Sequence, residues 1–168
     1  FTSSNSGYRN LLAYDIKTGT TRTLLKEARI GDLAFNPADR SLWGLRVNNG
    51  FVMIVRVQYP YNDWKTVHVY PYGEVPFDLD ISRAGTLVSL SLAGPDGERS
   101  GMQVMQLRVM TTAALLAGDS TPVHKFELGT AVPEGFVFSD DGHYLYGSSY
   151  YTGVSNIYRY DLGPSKLE

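Results

Sequence analysis

One short pattern recurs three times without a gap, and it limits what this chain can fold into more than any other feature. It reads Leu33-Ala34-Phe35-Asn36-Pro37-Ala38-Asp39-Arg40-Ser41-Leu42-Trp43, then Leu79-Asp80-Ile81-Ser82-Arg83-Ala84-Gly85-Thr86-Leu87-Val88-Ser89, then Phe136-Val137-Phe138-Ser139-Asp140-Asp141-Gly142-His143-Tyr144-Leu145-Tyr146. Each copy is an apolar strand that meets Asn or Ser, a tight polar turn, and a second apolar strand, which is hairpin chemistry. Asp39, Gly85 and Gly142 share one turn position. A positive φ is expected there, tolerated best by Gly and next by Asp.

A second repeat ties the two ends together. Asn10-Leu11-Leu12-Ala13-Tyr14-Asp15-Ile16 matches Asn156-Ile157-Tyr158-Arg159-Tyr160-Asp161-Leu162. Upstream of these, Thr2-Ser3-Ser4 and Gly7 echo Gly147-Ser148-Ser149 and Gly153. The hairpin copies are spaced 46 residues (36 to 82) and 57 residues (82 to 139) apart. A four-stranded propeller blade takes about 40 to 50 residues. The longer interval holds Gly94-Pro95-Asp96-Gly97-Glu98-Arg99-Ser100-Gly101, an expected loop insertion.

The fold class expected is therefore all-β: a β-propeller fragment of about three four-stranded antiparallel blades. Residues 1–29 are expected to give the C and D strands of a first blade, 30–74 a second blade and 75–130 a third. Residues 131–162 then give the A to C strands of a fourth, and 163–168 a tail whose Leu167-Glu168 reads as a vector scar. Thr20–Leu25, Phe51–Val57, Trp64–Tyr70, Met102–Val109 and Val123–Leu128 are the expected outer strands. Only residues 112–117 have the composition of a short helix.

The end segments carry a family resemblance. Phe1 to Gly19 resembles the second half of the WD40-like repeat of TolB-type propellers, with its Thr-Ser pair, Gly loop and Thr-Gly turn, and with Leu12-Ala13-Tyr14-Asp15 where the family pattern has Tyr-x-x-Asp. Phe138-Ser139-Asp140-Asp141-Gly142 through Tyr158-Arg159-Tyr160-Asp161 resembles the same repeat from its first half onward. The two central units match only at the turn. The resemblance implies a propeller that binds protein or peptide partners in a periplasmic or secreted bacterial protein. It also allows the propeller that gates substrate in a serine peptidase or a polysaccharide-active enzyme whose catalytic domain is absent. Cytoplasmic residence is left open.

Composition narrows the chemistry. With 15 Lys and Arg against 17 Asp and Glu the formal net charge is -2, and the charges are scattered. Nucleic acid and anionic membranes need clustered positive charge, so neither is an expected partner. The chain has no cysteine, which removes disulfides, thiolate metal sites and cysteine nucleophiles. No apolar run reaches the roughly 18 residues of a membrane span. No Gly-x-Ser-x-Gly elbow exists; Gly147-Ser148-Ser149-Tyr150-Tyr151 lacks its closing glycine. His68, His124 and His143 fall on two outer strands and a turn, as surface residues do. No catalytic residue, metal site or cofactor is expected, and the chain is not read as an enzyme.

Two groups remain as candidate binding residues. Tyr59, Tyr61, Trp64, Tyr70 and Tyr72 gather in two loops of the second blade, and Tyr150 and Tyr151 occupy a comparable loop of the fourth. Tyr and Trp join large contact area to a polar handle, as recognition surfaces require. Inter-blade packing is the competing use of these rings, and carbohydrate stacking a further one. Asp32, Asp78, Asp80 and Glu134 lie where first strands enter the axial channel. There they either ring its mouth, for a cation or a basic peptide end, or serve as solvated strand-entry residues. An incomplete ring leaves an edge strand and two apolar faces uncovered, so self-association is expected of the fragment.

Overall fold

The structure, a computed structural model, describes residues 1–5, 8–95 and 103–163. Gly7, the expected insertion from Asp96 to Gly101, Met102 and the 164–168 part of the tail lie outside the described residues. Fourteen strands and one helix are described, in four antiparallel sheets. The first sheet is β1 (Thr2–Asn5), β2 (Tyr8–Asp15) and β3 (Thr20–Leu25). Two strands are expected from residues 1–29, and the sheet has three. The Thr-Ser-Ser segment that echoes Gly147-Ser148-Ser149 pairs with β2 through Thr2↔Leu11 and Ser4↔Arg9.

The second sheet runs β4 (Ile30–Asn36), β5 (Ser41–Asn48), β6 (Phe51–Val57), β7 (Lys65–Val69) in spatial as in chain order. The third is β8 (Val75–Ile81), β9 (Leu87–Pro95), β10 (Gln103–Thr111) and β11 (His124–Gly129), again as a meander. Between its last two strands sits α1 (Thr112–Leu116), begun by the Thr111 hydroxyl, which accepts the Ala114 amide. The fourth sheet is β12 (Pro133–Phe138), β13 (Tyr144–Ser149) and β14 (Asn156–Asp161).

Each sheet is its own hydrogen-bonded unit, and the core is the set of wedges between neighbours. Leu11, Leu24 and Leu25 of the first sheet meet Ile30, Val55 and Val57 of the second. Trp43, Leu45 and Ile54 of the second meet Leu79, Val88 and Leu90 of the third. Leu107, Val109 and Leu128 of the third meet Phe136 and Leu145 of the fourth. The leading strands β4, β8 and β12 lie side by side in succession. Sheets fanned about a shared line of first strands are the blades of a propeller.

Because interior blades are covered on both sides, their strands lose the buried-and-exposed alternation of a one-faced sheet. Trp43 faces the third sheet while Leu42, its neighbour in β5, packs toward the first. In β10, Met105, Leu107 and Val109 pack toward the fourth sheet and Met110 toward the second, while Gln106 and Arg108 are half-buried. Gly44 and Gly147 admit close packing within the sheets. A Cβ at Gly147 would strike the Phe136 ring, and one at Gly44 would sit 2.8 Å from the Gly31 carbonyl oxygen.

The hairpin turns follow the expected chemistry in two copies. Gly85 and Gly142 have φ of 72° and 73°, and their amides donate to the Ser82 and Ser139 carbonyls. In the remaining copy the positive φ falls on Arg40 (58°) rather than Asp39. The Asp39 carboxylate accepts the Ser41 amide at 2.9 Å and the Arg56 guanidinium at 2.6 Å.

Candidate recognition face

In an antiparallel meander the first and third connections emerge at one end of the sheet, and the second connection and the exit at the other. Contacts between sheets align these ends. The Asn36 amide donates to the Gly85 carbonyl at 3.2 Å, joining the β4–β5 turn to the β8–β9 turn. The Thr112 hydroxyl donates to the same carbonyl at 2.9 Å, and Arg83 pairs with Asp140 at 2.7 Å in the next turn. This end, the turn face, is knitted from sheet to sheet. The opposite end, the loop face, carries the β5–β6 and β13–β14 loops and the sheet-to-sheet crossings.

That geometry divides the candidate aromatics. Tyr59, Tyr61 and Trp64, in the β6–β7 loop, are on the turn face, where Tyr61 and Trp64 serve packing. The Tyr61 hydroxyl donates to the Arg40 carbonyl at 2.8 Å, and both rings pack on the core between the first two sheets. The Arg46 guanidinium lies 4.4 Å from the Trp64 ring centre. Tyr59 is exposed but covered on one side by Arg40 at 5.1 Å, with Tyr61 edge-on at 5.6 Å. Tyr70 is buried between the second and third sheets, and burial pushes its phenol above the ordinary value. Tyr70, a candidate binding residue, is therefore a core residue, and Trp64 is half-buried against the neighbouring core.

The loop face keeps the others. Tyr72 is 79% exposed and meets Phe51 edge-on at 6.2 Å. Tyr150 and Tyr151, both exposed, border an open cleft of about 650 Å³ with Leu128, Gly129, Thr130, Ala131 and Gly153. Neither tyrosine takes part in a sheet core.

The axial acids have a structural occupation. Asp32, Asp78 and Gly135 stand at one repeated place, a bulge in the leading strand where the register shifts, with φ of 45°, 52° and 60°. A bulge turns an amide away from its own ladder. The Asp32 carboxylate accepts the Asp78 amide at 3.2 Å, and the Asp78 carboxylate accepts the Gly135 amide at 3.0 Å. Asp80 reaches the same way to the Phe138 amide at 2.9 Å. Each acid thus staples its sheet to the next, across a shallow cleft of about 300 Å³. Glu134 stands apart, within its own sheet, where it accepts from the Ser148 hydroxyl at 3.5 Å.

No protein-family model matches the chain. No curated protein matches it in sequence. Solved structures do match in shape. TolB from Acinetobacter baumannii superposes with a TM-score of 0.67 at 14% identity, over 94% of this chain and 36% of that one. The chain folds as part of a TolB-like β-propeller. Acylaminoacyl peptidase from Pyrococcus horikoshii gives 0.63 at 10% identity, over 97% of this chain and 28% of that one. A chain of a nidogen/laminin complex gives 0.57 at 17% identity, over 95% and 58%. The chain thus spans little more than a third of the TolB it matches.

Several residues of the TolB-like sheets escape a reading of sequence alone. Phe51 sits at a strand start beside Asn49-Gly50 and shows itself only when Tyr72 lies against it. Gly135 aligns with Asp32 and Asp78, and that alignment is the signal that marks the bulge. Among the described residues no three His, Cys, Asp or Glu side chains converge as metal ligands. No described helix is long and apolar enough to cross a membrane. His68 lies edge-on to Tyr70 at 4.7 Å, and burial holds its imidazole below the ordinary range. His124 stacks on Phe126, and His143 faces the Gly163 carbonyl at 3.4 Å.

Proposed function

We propose that this part of a TolB-like propeller is a non-catalytic recognition module that binds a protein or peptide through its loop face. The observation that carries the reading is one end of the sheets that bears exposed Tyr72 and, bordering a cleft of about 650 Å³, exposed Tyr150 and Tyr151, with no turn-to-turn staple among the described residues there. Rigid exposed tyrosines supply contact area at little entropy cost. The likeness to TolB favours the periplasm or the cell exterior.

The test is capture of partners from an envelope extract by the intact chain and by a Tyr72→Ser, Tyr150→Ser, Tyr151→Ser variant. The variant is expected to lose at least tenfold of the captured partner, while Tyr59→Ser on the turn face retains it. Equal capture by both variants would move the site off the loop face. A panel of oligosaccharides in the same assay separates carbohydrate stacking from protein binding. The second reading, a substrate-gating propeller of a serine peptidase, draws on the likeness to acylaminoacyl peptidase. A Gly-x-Ser-x-Gly elbow followed by Asp and His in the same polypeptide would decide for it.

A further inference from the structure

Positive charges that are scattered along the chain meet at one corner of the loop face. Arg9 stands near the start of β2, Arg29 in the crossing from the first sheet to the second, and Arg46 near the end of β5. All three bracket one stretch of backbone, residues 28–31. The Arg29 amide donates to the Arg9 carbonyl at 2.9 Å. Arg46 pairs in register with Ile30, and its Nε donates to the Ala28 carbonyl at 3.0 Å. The Arg9 guanidinium lies over Gly31, where a Cβ would strike it. Arg9 and Arg29 are exposed, and Arg46 is half-buried.

Acidic side chains do not cancel this charge. Arg56, Arg83 and Arg108 are each matched to a carboxylate, whereas among the described residues neither Arg9 nor Arg46 forms an ion pair. Lys26 and Glu27 of the crossing balance each other in charge, and Asp32 of β4 turns its carboxylate to the Asp78 amide of the third sheet. The backbone here is also costly. At the other two crossings a positive φ falls on Gly73 and Gly129, but here it falls on Glu27 (52°) and Arg29 (53°). Side chains adopt that region under strain, and such strain gathers at functional positions. We propose that this corner binds the carboxylates of an acidic peptide segment, an inference that rests on the loop-face reading above and gives its partner a charge. Guanidinium groups pair with carboxylates through two parallel hydrogen bonds. A chain of net charge -2 repels an acidic segment elsewhere, so the corner would orient it as well as hold it.

Fluorescence anisotropy on the full chain tests it with two labelled peptides, one alternating Glu with Gly and the other Gln with Gly. The Glu peptide is expected to bind about tenfold more tightly. It should lose that advantage near ~1 M salt, where the screening length falls to ~3 Å. Arg9→Gln with Arg29→Gly is expected to bring the Glu peptide down to the Gln peptide, with the strand signal in circular dichroism intact. Lys17, in the β2–β3 turn, and Lys65, at the start of β7, stand at the other end of the same sheets. Lys17→Gln with Lys65→Gln removes as much charge and should leave both affinities unchanged. Arg9→Lys with Arg29→Lys keeps the charge without the paired donors and should cost only about threefold. Equal binding of the two peptides overturns the inference. So does a turn-face variant as weak as the loop-face one, or a lysine variant as weak as the variant without charge. Displacement of the Glu peptide by equimolar inorganic phosphate would assign the corner to phosphate and overturn it too. If the Glu peptide fails while partner capture still depends on Tyr72, Tyr150 and Tyr151, this inference falls and the loop-face reading stands.

Discussion

The two ends of the blades are built from similar residues and held by different forces. On the turn face, the Gly85 carbonyl alone accepts from Asn36 of the preceding sheet and from Thr112 behind it, and Arg83 pairs with Asp140 of the following sheet. On the loop face, Tyr72, Tyr150 and Tyr151 project from the sheets, and the staples retreat to the axis, at Asp32, Asp78 and Asp80. Polar groups that are buried must be satisfied and so fix geometry. Exposed rings are free to exchange water for a partner. One end joins neighbouring sheets through its turns, and the other presents exposed rings.

Paired glycine substitutions test that contrast most severely. Gly85 and Gly73 both have positive φ, 72° and 92°, and lie on opposite faces. A Cβ at Gly85 would meet Asn36 Oδ1 and come within 2.7 Å of the Ala38 Cβ, whereas at Gly73 nothing lies within 4 Å. Backbone strain alone costs about 1 kcal/mol. Crowding in a packed site adds about 2 kcal/mol. Gly85→Ala is therefore expected to lower the unfolding free energy by about 3 kcal/mol and Gly73→Ala by about 1 kcal/mol. Urea denaturation of the two variants reads the difference, and equal midpoints would show that the turn face is no more constrained than the loop face.

The axial staple should be weaker, since it lies at an open mouth where water can replace a lost partner. Asp78 has both a carboxylate engaged with the Gly135 amide and a left-handed backbone. Asp78→Ala removes the acceptor and keeps a backbone that alanine tolerates less well, for a cost of about 1.5 kcal/mol. Asp78→Gly removes the acceptor and relieves the backbone, as the chain itself does at Gly135, and should cost about half as much. If both variants unfold at the wild-type urea midpoint, the carboxylate ladder contributes nothing to blade spacing.

Much of the blade layout was legible because its signals are local. Alternating apolar residues and Ser-x-x-Gly turns act within a few residues, so β3 and β6 fall where the pattern puts them. The short helix follows equally from the composition of residues 112–117. What failed was neighbourhood. Tyr61 and Tyr72 are eleven positions apart in the chain, yet β7 (Lys65–Val69) runs between them, and five residues of strand span about 17 Å. One cluster in sequence became two faces in space. Period-two spacing did put Asp78 and Asp80 on a common side, and both reach β12. The bulges that turn those carboxylates into staples depend on pairing with a second strand, which no single segment encodes. Asp39 shows the same limit, since its partner Arg56 comes from β6, a strand outside its own hairpin.

The smallest expected effect is the most informative about function. Tyr72→Ser and Tyr150→Ser remove large rings, yet those rings are exposed and belong to none of the sheet cores. Each variant should stay within about 0.5 kcal/mol of the parent in urea, as surface substitutions away from packed features do. Tyr61→Ser gives the turn-face comparison, because it empties part of the core between the first two sheets and leaves the Arg40 carbonyl without its donor. It should cost about 3 kcal/mol. A chain that tolerates loss of Tyr72 and not of Tyr61 keeps the loop-face rings for something other than folding. Should Tyr72→Ser prove as damaging as Tyr61→Ser, the ring is structural, and the recognition face shrinks to the Tyr150 and Tyr151 cleft.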